Sequence, residues 1–137
     1  ARAHSSWAFM DLERNRPVRP TPEHIDPYGT AEPLDMPAEE RRVRIPDGLE
    51  ALEPITVQRY QIDTNEHVNN CQYVQMALDV LPREEVPVQV RVDYKRAAVL
   101  GDTIFPGLAS AGDTAVVALE DGSGAPYAVV ELKFLVE

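Results

Sequence analysis

Apolar and polar residues alternate with the period of a strand over most of the second half of this chain, and with the period of a helix once. Pro87–Arg96 is the clearest strand: Val88, Val90, Val92 and Tyr94 point one way, Gln89, Arg91, Asp93 and Lys95 the other. Three further strands are predicted at Thr103–Ser110, Thr114–Glu120 and Tyr127–Val136. Gly101-Asp102, Gly112-Asp113 and Asp121-Gly122-Ser123-Gly124 separate these runs as turns. Ile55–Ile62 reads as one more strand. Asn70–Leu81 reads as a helix: at about 100° per residue Tyr73, Val74, Ala77, Leu78, Val80 and Leu81 share a face opposite Gln72, Gln75 and Asp79, and Pro82 ends it. Strand, helix, then a run of antiparallel strands predicts an α+β fold with one central helix wrapped by an antiparallel sheet.

The first 53 residues are less regular. Ser5–Leu12 is strand-like, with Trp7 and Phe9 alternating with smaller residues and Trp7 expected in a core or an interface. Thr21-Pro22-Glu23 predicts a short helix with Thr21 as its cap, limited by Pro27. Up to Pro54 the composition is that of a linker, with one short strand candidate at Arg42–Ile45. The expected organisation is therefore 1–20 as the last strand of a preceding domain or an N-terminal extension, 21–53 as linker and 54–137 as the main domain. A core strand so close to Ala1 leads us to expect a piece of a longer or processed protein.

Length, charge and cysteine narrow the class. A chain of 137 residues suits one domain with a real core. There are 13 basic against 23 acidic side chains, net −10, which argues against general nucleic-acid binding. Residues 1–20 run against that balance, with Arg2, Arg14, Arg16 and Arg19 facing only Asp11 and Glu13. Arg41, Arg42 and Arg44 form a second basic cluster. Both read as solvated arginines or as a surface that steers an acidic partner. No stretch is long and apolar enough to predict a transmembrane helix, and none reads as a signal peptide. Cys71 is the single cysteine, which is compatible with a cytoplasmic location.

The chemistry concentrates in Asp63-Thr64-Asn65-Glu66-His67-Val68-Asn69-Asn70, between a strand and the helix. In an extended chain Asp63, Asn65 and His67 fall on one side within roughly 13 Å. Asn70 is then placed to cap the helix, whose free amides attract developing negative charge. An acid, an amide and an imidazole together suit attack of water on an activated carbonyl, with no serine or cysteine nucleophile required. Spacing alone leaves the alternative open that this is an ordinary polar turn. Cys71 reads as a packed structural thiol, and Tyr73 either as core or as part of a binding site. His4 and His24 lack metal-ligand spacing, and no metal or cofactor is expected. Glu39-Glu40 and Glu84-Glu85 read as solvated surface.

Asp63–Tyr73, with its D-x-N-x-H-V-N-N-x-x-Y pattern, resembles the signature of plant and bacterial fatty acyl-ACP thioesterases. Ser6-Trp7 with Arg16-Pro17, Tyr94-Lys95-Arg96 and Gly101-Asp102 are similar to further segments of that family. The resemblance implies a tandem hotdog enzyme, of which this chain is the carboxyl-terminal, catalytic-type half. It would hydrolyse fatty acyl-ACP to free fatty acid and acyl carrier protein, with that carrier and a second hotdog as partners. The second hotdog is either the missing amino-terminal half or another copy in a homodimer. The family's catalytic Asp, Asn and His fall on Asp63, Asn65 and His67, with Asn70 and Tyr73 as candidate substrate-binding residues. One departure stands out: the family's glutamate position is held by Ala97. Either Asp63 with His67 suffices, or another carboxylate substitutes, or the protein is slow or inactive. A single-hotdog acyl-CoA thioesterase accounts for the chain from Pro54 onward but not for Ser5–Arg19. A lapsed acyl-binding or assembly hotdog is the reading outside enzymes.

Overall fold

The computed structural model describes all residues except 1, 15, 37–39, 41, 83–85 and 136–137. Arg41, Glu39, Glu84, Glu85 and Val136 therefore lie outside the described residues, and the final strand, expected to reach Val136, ends at Lys133. The chain forms two compact units, Ala1–Ala38 and Glu39–Glu137.

In the first unit the strand expected over Ser5–Leu12 shrinks to β1 (Met10–Asp11), which pairs antiparallel with β2 (Arg16–Pro17). Asp11 folds the chain back between them: its carboxylate accepts the amides of Glu13 at 3.1 Å and Arg14 at 3.0 Å. The short helix forms as α1 (Pro22–Ile25) and runs into a 3-10 turn over Asp26–Tyr28. Thr21 sits at its N-cap without capping through its side chain, since its hydroxyl bonds His24 Nδ1 at 2.7 Å. Trp7 is 83% exposed and so lies in no core of this unit.

The second unit is built on a six-stranded sheet. Its order is β3 (Glu50–Ala51), β6 (Thr103–Ala111), β7 (Thr114–Glu120), β8 (Pro126–Lys133) and β5 (Gln89–Tyr94), with β4 (Ile55–Thr56) also paired to β6; each of these pairings is antiparallel. The β6–β7 connection is a two-residue turn, Gly112-Asp113, in which Gly112 takes φ +61°. Asp121 closes the β7–β8 loop by accepting the amides of Ser123 and Ala125 while it pairs with Arg96. The Ser123 hydroxyl, which also donates to it at 2.7 Å, together with those three contacts holds its carboxyl far below the usual carboxylate range.

One helix, α2 (Asn70–Asp79), packs on this sheet. Tyr73, Met76 and Ala77 are its buried residues. They join Ala115, Val117 and Leu119 of β7 and Ala128, Val130 and Leu132 of β8 in one core. Each large aliphatic side chain fully buried there stabilises the fold by about 1.5–3 kcal/mol. The opposite face of the same strands is buried too, because Val43 and Ile45 pack on Val116 and Val129. Val43 and Ile45, expected in the linker, thus pack within this unit, and Arg42–Ile45 does so without forming a strand.

Four local expectations are corrected. The strand expected over Ile55–Ile62 ends at Thr56, where Gln58 and Gln61 cap a 3-10 turn (Arg59–Gln61) reciprocally. The helix ends at Asp79 rather than Leu81, its C-cap being Val80. Its buried face includes Met76, which the periodic reading left out. Finally, β5 buries its apolar face only in part: Val92 packs against the core, while Val88, Val90 and Tyr94 stay 59%, 42% and 43% exposed. They lie on an edge strand that no other described strand covers on its outer side.

Strand β6 runs tight against Leu49. A Cβ added at Gly107 would lie 2.9 Å from Leu49 Cδ1 and 3.1 Å from its Cβ. Gly107→Ala is expected to destabilise the unit by about 1–3 kcal/mol in chemical denaturation, through overpacking. A cost under about 0.5 kcal/mol would show that Leu49 swings aside freely.

Candidate functional site

The polar segment after the 3-10 turn is a hairpin loop, not an extended run. Ile62 and Val68 bridge antiparallel across its base. Inside it, Asp63 N–H donates to the His67 carbonyl at 2.9 Å and Glu66 N–H donates to the Asp63 carbonyl at 3.1 Å. The Asp63 carboxylate accepts the Asn65 amide at 2.8 Å and, more weakly, the His67 amide at 3.4 Å. This is why the extended expectation fails: a short carboxylate at the start of a turn draws the following amides back to itself. Glu66 then takes a left-handed φ of +62°, the one positive φ of a non-glycine residue among those described. A side chain held there costs about 1–3 kcal/mol, and such strain clusters at functional sites.

The loop is tied to the rest of the unit through one residue. Val68 N–H donates to the Ala98 carbonyl at 2.9 Å, and Ala98 N–H donates to the Tyr73 hydroxyl at 2.8 Å. Tyr73 is only 2% exposed, and burial pushes its hydroxyl above the ordinary tyrosine range. The turn after Ala98 is fixed by Asp102, whose carboxylate accepts Val99 N–H at 3.0 Å and the Tyr127 hydroxyl at 3.1 Å. On the other side of the loop, Asn69 rather than Asn70 caps α2, its side chain accepting the Cys71 amide at 3.0 Å. Asn70 instead offers its carbonyl to the Tyr94 hydroxyl at 3.0 Å.

Together these contacts shape an open depression of about 390 Å³ lined by Arg59, Ile62, Asn65, Glu66, His67, Val99 and Leu100. Asn65 and His67 thus both border it. Asp63 organises the loop through its carboxylate and does not line the depression. Asn70 and Tyr73 also lie outside that lining, and Tyr73 belongs to the core. Cys71, expected as a packed thiol, is exposed. Ala97 is exposed beside the buried Ala98. Arg59, Glu66, Val99 and Leu100 went unrecognised as lining residues. Glu66 stands inside the motif itself, and Val99-Leu100 is an apolar pair set before a Gly-Asp turn, so both carried a signal. The depression offers an amide donor, an imidazole, a carboxylate and a guanidinium around a partly apolar wall. Among the described residues no three His, Cys, Asp or Glu side chains gather as a metal site requires. No helix of the structure is long and apolar enough to cross a membrane.

A single helix against an antiparallel sheet, with a polar loop leading into the helix start, is the hotdog fold of acyl thioesterases. Residues 47–118 match the acyl-ACP thioesterase C-terminal domain, and the chain belongs to that family. Among solved structures, the chain is similar to an acyl-ACP thioesterase from Bacteroides thetaiotaomicron (TM-score 0.72, 16% identity), over 92% of this chain and 53% of that one. It is similar to the 12:0-ACP thioesterase from Umbellularia californica (TM-score 0.74, 14% identity), over 93% of this chain and 52% of the other. A Staphylococcus aureus protein solved in complex with CoA is similar over a smaller share, 65% of this chain and 76% of its own, with TM-score 0.56 and 19% identity. The chain thus spans about half the length of the two thioesterases it resembles in fold. No curated protein matches it in sequence.

The Tyr73 hydroxyl is the acceptor for a buried amide, so Tyr73→Phe leaves Ala98 N–H unpaired. We expect a loss of about 1–3 kcal/mol in denaturant unfolding. Unchanged stability would show that the amide finds another acceptor.

Proposed function

We propose that this chain supplies the catalytic site for hydrolysis of fatty acyl-ACP to free fatty acid and acyl carrier protein. The observation that carries the reading is that Asn65 and His67 both border the depression, within a family of acyl-ACP thioesterases. The Asn65 amide donates to the thioester oxygen as it gains charge. The His67 imidazole holds the attacking water and polarises it. Asp63 acts one step back, because its carboxylate fixes the backbone that presents both side chains. Val99 and Leu100 give the acyl or pantetheine portion an apolar contact. The exposed Arg14, Arg16 and Arg19 of the first unit favour an acidic carrier protein over CoA.

Thiol release from oleoyl-ACP and palmitoyl-ACP, compared with their CoA counterparts, tests this in the chain and in its longest natural reading frame. ACP-selective release that falls by about 10²-fold or more in His67→Ala is expected. Preference for CoA would make the chain a CoA-type thioesterase, and no release at all would favour a lapsed, acyl-binding hotdog.

The uncovered side of β5, with Val88, Val90 and Tyr94 exposed beside it, fits pairing with a second hotdog, either the amino-terminal half or another copy. Sedimentation of this chain alone is expected to show a dimer that Val90→Lys weakens. A monomer at all concentrations would count against self-pairing.

A further inference from the structure

The depression needs a group that takes a proton from water, and the side chains around it narrow the choice. Of its seven lining residues, Glu66 alone carries a carboxylate. Asp63 is not among the residues that line the depression, and one of its oxygens accepts the amides of Asn65 and His67. Position 97 holds an alanine and offers no proton acceptor. Asp102 is committed to Val99 N–H and the Tyr127 hydroxyl.

The backbone at Glu66 points the same way. Its φ of +62° favours glycine or asparagine, yet the position holds a charged side chain. A loop needing only to turn there would be better served by glycine. The glutamate sits between Asn65 and His67 in sequence, and all three side chains border the depression.

We propose that Glu66 is the general base of this site, an inference that rests on the thioester-hydrolysis reading above. As the water oxygen bonds to the acyl carbon, one water proton passes to the Glu66 carboxylate. Negative charge collects on the former carbonyl oxygen, facing the Asn65 amide. Collapse of this intermediate breaks the carbon–sulfur bond, and the departing sulfur takes the proton back from Glu66. The products are a carboxylic acid and a free thiol, and Glu66 returns to its starting charge. His67 orients the water throughout, and Arg59, on the same rim, is placed to meet the anionic parts of the thiol carrier.

Glu66→Gln and Glu66→Gly separate chemistry from backbone. Both are to be assayed with oleoyl-ACP beside the unmodified chain and His67→Ala, with thermal unfolding of each to confirm the fold. Glu66→Gln is expected to lower kcat by about 10²–10⁴-fold while KM stays within about twofold. Glu66→Gly is expected to be equally slow although its unfolding midpoint holds or rises, because glycine takes a positive φ without strain. An active Glu66→Gly would overturn the proposal by showing that only the turn matters. So would a fully active Glu66→Gln alongside a slow His67→Ala, which would leave the thioesterase reading intact. No hydrolysis by the unmodified chain in any form would overturn both.

Discussion

The Tyr73 hydroxyl accepts the amide of Ala98, and the carbonyl of Ala98 accepts the amide of Val68. Two hydrogen bonds through one buried alanine thus join the core helix, the Ala97–Asp102 segment and the polar loop. Each side of that junction places part of the depression: Val99 and Leu100 on one, Asn65, Glu66 and His67 on the other. Because Tyr73 and Ala98 are almost wholly removed from water, losing either partner would strand a buried polar group. The geometry of an exposed site is in this way set by a bond inside the core.

The loop itself divides its labour between burial and exposure. Asp63 serves the backbone, and the residues that follow it serve the surface. A carboxylate that accepts successive amides makes a rigid platform, which is what a hydrolytic site without a covalent nucleophile requires. Water has to be held, deprotonated and aimed by groups that do not themselves react. On the proposed reading, the imidazole, amide and carboxylate of one five-residue turn are the groups that would meet that need. The strained φ at Glu66 is the local cost of presenting three consecutive side chains to one side of a turn.

Much of the fold was legible in the chain because its signals are local. Strand β7 falls on Thr114–Glu120 as its alternation predicts, and the Gly112-Asp113 turn sits where glycine permits φ +61°. Helix α2 begins at Asn70 as predicted and ends two residues early, where packing of Val80 and Leu81 against the core replaces the last helical turn. The predictions that failed involve partners distant in sequence. Val43 and Ile45 became core because β7 and β8 bury both faces, which a strand pattern near residue 43 cannot reveal. The face of β5 reads as apolar, yet only Val92 packs on the core and Tyr94 bonds the helix, while Val88 and Val90 stay exposed beside an edge that no other described strand pairs.

The sequence by itself determined the kind of fold and the family, since periodicity and a compact motif are properties of neighbouring residues. Only the tertiary structure decided how that motif is used. It turned an extended-looking run into a hairpin and set the Asp63 carboxylate on the amides of Asn65 and His67. It also set Asn69 rather than Asn70 at the helix cap and brought Val99 and Leu100 to the rim. Each of these outcomes depends on which backbone amides compete for one carboxylate or one carbonyl. That competition is settled by three-dimensional proximity, which the order of residues does not record.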